Sequence, residues 1–183
     1  MRSLLLAPLK IPVVRFILIG TVMYLGMYFF YEFYINPNTN IDEYIIDNLV
    51  GIGDFVLRSI GYDLTTYEPE PFRNRIGIEG SLGVFIGEPC DGFILFALFL
   101  AFIVAYPGAL KHKIWFIPLG ILLIHLINAL RVIALVLIMS KHPQWLSFNH
   151  DYTFTIIVYA FVFLLWWVWI NKFSSSGKKL KTT

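Results

Sequence analysis

The sequence predicts an all-α integral membrane protein with about four transmembrane helices and a small extracytoplasmic cap. Three observations predict it: a composition too apolar for water, four apolar runs of membrane-spanning length, and basic residues confined to alternate connections. The 183 residues are 58% hydrophobic and 14% charged, with a mean hydropathy of +0.72. Soluble domains are nearer half apolar and about a quarter charged. A length of 183 residues fits a single integral domain.

Crossing a hydrocarbon core of ~30 Å takes about 20 helical residues. The runs 13–33, 92–106, 114–139 and 153–170 meet or approach that length. The second is short unless the segment before it enters the interface. Tyr28, Tyr31, Tyr34, Tyr106, Trp115, Trp166, Trp167 and Trp169 cluster near the ends of the runs, as interfacial anchors do. The basic start followed by an apolar run lacks a small-x-small cleavage site and reads as a retained signal anchor.

Charge orients the spans. Arg2, Lys10, Arg15, Lys111, Lys113, Lys172, Lys178, Lys179 and Lys181 fall on the side that holds both termini. The other side holds Arg58, Arg73, Arg75 and Lys141, with all 12 acidic residues at or beyond its boundary. The positive-inside rule makes the first side cytoplasmic, including a basic tail over 171–183. The expected location is therefore a plasma (cell inner) membrane, with the bilayer itself as a partner. The net charge of +2, with no basic run interleaved with aromatics outside the termini, argues against nucleic acid.

Residues 34–89 form the only large extracytoplasmic segment. Ile41, Tyr44, Ile45, Leu49, Ile52, Phe55, Val56 and Ile60 recur near helical spacing. They predict an amphipathic helix ended by Gly61, lying on the membrane or bundle, or else packed inside a cap. From Thr65 to Ile86, turn residues separate short extended pieces, and Ile76, Ile78, Val84 and Ile86 alternate as a hairpin around 79–83.

Three reactive side chains fall at the outer ends of spans. Cys90 precedes the second span, and Arg131 lies about 17 residues, or ~25 Å, above the start of the third. His150 precedes the fourth. A lone cysteine is often a small buried hydrophobe. Cys90 instead stands at a helix N-terminus, which favours thiolate, although Glu88 and Asp91 oppose this. Arg131 reads either as a snorkelling arginine or, with Asn128 and His125 on nearby turns, as part of a polar stripe facing the bundle. His112 is expected to be solvated and His125 to be a packing residue, while His142 competes with His150. Asn149 and Asp151 stand ready to orient His150. No H-x-x-x-H or C-x-x-C spacing points to a metal, and no cofactor is implied.

A thiol, an imidazole and a guanidinium together suit acyl transfer: nucleophile, acid–base and stabiliser of negative charge. The ordered set Cys90-x-Gly92, Asn128-x-x-Arg131 and His150 at the next span resembles the exosortase/archaeosortase family over residues 76 to 171. Asp91 stands where many members have Ser or Asn, and many have further spans. The resemblance implies a membrane cysteine protease/transpeptidase with Cys90 as nucleophile and Arg131 and His150 as its partners. It also implies that the substrates are secreted proteins with a C-terminal sorting signal that includes a transmembrane helix. A thioester would pass to an acceptor of unspecified identity or to water. The alternative is a non-catalytic membrane scaffold whose Asn128 and Arg131 bind a partner helix or lipid headgroup. A transporter subunit fits poorly, since there is one intramembrane charge and no half-helices.

Overall fold

The computed structural model describes residues 11–65, 74–87 and 90–174, and the chain is mostly helical. Most of the expected basic tail, the Arg2 and Lys10 charges, the Glu88–Pro89 step and the extended pieces over 66–73 lie outside the described residues. The principal elements are α1 (Pro12–Phe30), α2 (Ile41–Ser59), β1 (Arg75–Ile76), β2 (Val84–Phe85), α3 (Phe93–Ala105), α4 (Leu110–Lys141) and α5 (Phe154–Val168).

Three helical stretches are long and apolar enough to cross a membrane: Pro12–Asn38, Leu110–Lys141 and Pro143–Phe173. The first and third exceed their helices because wide π turns continue them, at Tyr31–Ile35, Asn149–Thr153 and Trp169–Phe173. The expected loop between the last two spans is thus largely helical, and His150 sits inside a helical stretch. The second expected span is the apolar helix α3, whose 13 residues rise only about 20 Å, short of the ~30 Å core. It stops before Pro107–Gly108, where proline disfavours the helical conformation of the residue preceding it.

The chain divides into two compact units, with the two halves of α4 in different units. One contains α1, most of α3, the first part of α4 and the end of α5. Aromatic rings fill it: Phe102 stacks on Trp166 at 4.2 Å, Phe16 meets Phe102 edge-on, and Phe116 lies 5.2 Å from Trp169. Gly120 leaves room for the fully buried Phe99, whose ring any Cβ at position 120 would overlap. Lys113 Nζ donates to the Val104 and Tyr106 carbonyls at 2.8 and 2.9 Å, satisfying groups left over at the end of α3. His112, expected to be solvated, is half-buried with its ring 5.5 Å from Phe173.

The other unit holds α2, the hairpin and the second part of α4. The amphipathic reading of 41–60 resolves here into a packed helix. Ile46, Leu49, Gly53 and Leu57 are buried at helical spacing. Ile46, Leu49 and Leu57 belong to one core with Ile76, Ile86, Ala129, Val132, Ile133 and Val136, whereas Ile41, Tyr44, Phe55 and Ile60 of the expected apolar face are exposed. Gly61, at φ 91°, ends α2: its N–H donates to Arg58 O and the Tyr62 N–H to Leu57 O, a Schellman motif requiring a left-handed residue at this point. The hairpin pairs Ile76 with Val84 and Arg75 with Phe85. Ile78, expected to extend its strand, bridges Leu64 instead. His125 bonds Asn48 of α2 at 2.7 Å, so this histidine links α4 to α2.

Candidate active site

Cys90, Asn128, Arg131, His150 and Asp151 all belong to the second of these units. The chain reaches Cys90 from the hairpin and turns at once into α3. Asp91 makes that turn: its Oδ1 accepts the Phe93 N–H at 2.8 Å, an Asx turn, while Gly92 takes φ 91° in the left-handed region. Both residues are buried. The sequence marks Asp91 only as a charge opposing the thiolate. Its carboxylate also builds the corner that presents the thiol.

The thiol meets an imidazole. Cys90 Sγ lies 3.1 Å from His150 Nε2, and His150 Nδ1 lies 2.8 Å from Asp151 Oδ1. A thiol, an imidazole and a carboxylate thus stand in line within hydrogen-bonding reach, an arrangement that can serve nucleophilic chemistry. His150 occupies the π turn Asn149–Thr153, which the Phe154 N–H closes on Asn149 O. The Thr155 hydroxyl donates to the His150 carbonyl across five residues. Wide turns of this kind occur often at functional sites. Asn149 does not orient the ring: its amide donates to Trp145 O at 2.9 Å. His142, the sequence competitor, is exposed and bonds through its backbone N–H to Ile138 O.

From α4, the fully buried Asn128 donates its Nδ2–H to the Cys90 carbonyl at 2.7 Å. Its Oδ1 is buried with no partner among the described residues. Arg131 follows three residues later, on a similar helical face. Its Nε is buried and has no hydrogen-bond partner among the described residues.

Burial pushes the Cys90 thiol above its ordinary pKa, and the Arg131 charge works against that rise. The Asp91 carboxylate adds to the rise, while a backbone hydrogen bond at Gly87 lessens it. Burial and Asp91 thus favour the protonated thiol over the thiolate, with His150 Nε2 3.1 Å away as the nearby proton acceptor. Asp91→Asn keeps the Asx turn and deletes one charge. We expect it to move the iodoacetamide-labelling profile of Cys90 to lower pH, speeding labelling at pH 7 by about two- to tenfold. Mass spectrometry of the intact chain across pH checks this, and slower labelling contradicts it.

Beside the pair lies a cavity of about 370 Å³, lined by Arg75 and Phe85 of the hairpin, Leu135 of α4, and Ser147, His150 and Asp151. Apart from His150 and Asp151, its lining residues were not singled out as site residues in the sequence, because each takes its meaning only from the fold. No cluster of three or more potential metal-binding side chains occurs among the described residues. No protein family model, curated protein or solved structure matches the chain.

Proposed function

We propose that this chain is a membrane-embedded cysteine protease or transpeptidase that cleaves secreted proteins near a C-terminal membrane helix. The observation that carries the reading is the 3.1 Å approach of Cys90 Sγ to His150 Nε2, with Asp151 held on the far ring nitrogen. The similarity to the exosortase/archaeosortase family in Cys90-x-Gly92, Asn128-x-x-Arg131 and His150 points the same way.

As Cys90 attacks the scissile carbonyl, its proton passes to His150 Nε2, and Asp151 stabilises the charged ring. Arg131 offsets the negative charge that develops on the carbonyl oxygen. Collapse of the tetrahedral species breaks the C–N bond. The leaving amine takes the proton from His150, and a thioester remains on Cys90. An acceptor amine, or water, then gives a proton to His150, attacks the thioester and returns the thiol. The burial-raised pKa of Cys90 fits a proton transfer coupled to attack rather than a standing thiolate.

In this reading α1, α3, α4 and α5 cross a plasma membrane with both termini cytoplasmic, in keeping with the one-sided Lys and Arg. A 13-residue α3 rising about 20 Å would set Cys90 in the outer half of the bilayer, short of the far edge of the ~30 Å core, where a substrate's membrane helix gives way to its membrane-proximal segment.

The test is to replace the native chain with Cys90→Ala in the producing cells and compare membrane proteomes. We expect normal levels of the variant together with precursors that keep their C-terminal membrane helix. A proteome identical to the wild type would favour the scaffold alternative.

A further inference from the structure

We propose that the outer edge of β2 is the docking strand for the substrate polypeptide, which adds there as a third strand beside the catalytic pair. This rests on the thiol acyl-transfer reading above and names how its substrate is held.

The argument begins with register. Val84 pairs with Ile76, and the Ile86 N–H donates to Asn74 O at 2.7 Å. In an antiparallel ladder, alternate residues turn their N–H and C=O toward the neighbour, and those between turn them away. Phe85 lies between two such residues, so its backbone donor and acceptor point outward from β1. The sheet has two strands among the described residues, and no backbone hydrogen bond outside the ladder uses either Phe85 group. Phe85 as a residue is 57% exposed.

That open edge has an address. Phe85 lines the same cavity as His150 and Asp151, and the chain runs from β2 to Cys90 in five residues. An extended peptide offers one donor and one acceptor on the same side at every second residue, the complement of what Phe85 presents. The chemistry assigned to Cys90 needs an amide backbone with its carbonyl brought to the thiol. One molecule thus satisfies the strand edge and the nucleophile together. Main-chain pairing would position the substrate, and the cavity of about 370 Å³ has room for a side chain projecting from it.

The experiment uses the full chain in detergent micelles and reads alkylation of Cys90 by mass spectrometry. The probe is acetyl-tetraalanyl chloromethyl ketone, with a series in which each backbone amide in turn is N-methylated. Chloroacetone supplies the same electrophile without a backbone. We expect the peptide reagent to outpace chloroacetone, and methylation to slow it about tenfold at one amide, the one that meets the Phe85 carbonyl, and not at its neighbours. Phe85→Pro, which deletes the outward N–H that donates to a substrate carbonyl, should slow the peptide reagent toward the rate of chloroacetone and leave chloroacetone unaffected. Phe85→Ala, which keeps the backbone, should preserve the pattern. If Phe85→Pro does not fold, the methylation series on the wild-type chain decides alone. A series in which no single amide stands out, or a peptide reagent no faster than chloroacetone, overturns the proposal. So does an edge occupied by a second copy, seen as dimers that Phe85→Pro dissolves with no peptide preference. Chloroacetone labelling that is insensitive to His150→Ala would instead sink the acyl-transfer reading beneath it.

Discussion

His150→Ala is expected to slow the proposed acyl transfer by Cys90 about 10³-fold while the chain remains folded. The size follows from the state of the thiol. Burial pushes it above its ordinary pKa, so few molecules carry a thiolate at neutral pH. Among the described residues, the imidazole within hydrogen-bond distance of Sγ is His150, at 3.1 Å. Without it, attack must wait for the small ionised fraction, and the leaving amine has no acid to protonate it. Folding should survive, because the His150 side chain is 38% exposed and is not part of the hydrophobic core. Asp151→Asn should cost less than His150→Ala, since its carboxylate is 59% exposed and water competes for the ring N–H. Rates of precursor cleavage in membranes, set beside circular dichroism of the purified variants, make the measurement. Cleavage within threefold of wild type in His150→Ala would remove the base from the mechanism.

Physical signals of different range explain what the sequence revealed. Hydropathy and the Lys/Arg asymmetry act over whole segments, so apolar helices were legible at 13–33, 114–139 and 153–170. The spacing of Ile41, Tyr44, Ile45, Leu49, Ile52, Phe55, Val56 and Ile60 marks a helix but misplaces its buried face: Leu49 alone of these is buried, Ile41, Tyr44, Phe55 and Ile60 are exposed, and Ile46, Gly53 and Leu57 turn inward instead. The structure supplies the cover, Ala129 to Val136 of α4 with Ile76 and Ile86 of the hairpin. The π turn at Asn149–Thr153 was not legible, because one extra residue per turn leaves no mark in an apolar pattern. That turn carries His150, so a residue expected just ahead of a span stands inside a helical stretch. Asp91 shows a second limit. Its charge is plain in the sequence, but its bond to the Phe93 N–H depends on where α3 begins. The outward edge at Phe85 depends on strand parity, which a shift of one residue would invert.

Arg131 separates charge from geometry, and its variants should split the two. Arg131→Met removes the positive charge that holds down the Cys90 pKa. The labelling profile should then move to higher pH, opposite in sign to Asp91→Asn, and turnover should fall about 10²-fold or more as the developing oxyanion loses its partner. Arg131→Lys restores a charge but not the planar fork of donors. It should return the labelling profile toward wild type while turnover stays low. Arg131 suits this role because its buried Nε has no hydrogen-bond partner among the described residues. A guanidinium already committed to a structural carboxylate would gain little from a new negative charge, whereas one without such a partner gains most when that charge appears in the transition state. Iodoacetamide labelling across pH and precursor cleavage, measured on the same membranes, give both readouts. If Arg131→Lys restores turnover along with the profile, Arg131 acts as a point charge alone. If Arg131→Met changes neither, the arginine belongs to the lipid interface and the oxyanion must be met by backbone donors near Cys90.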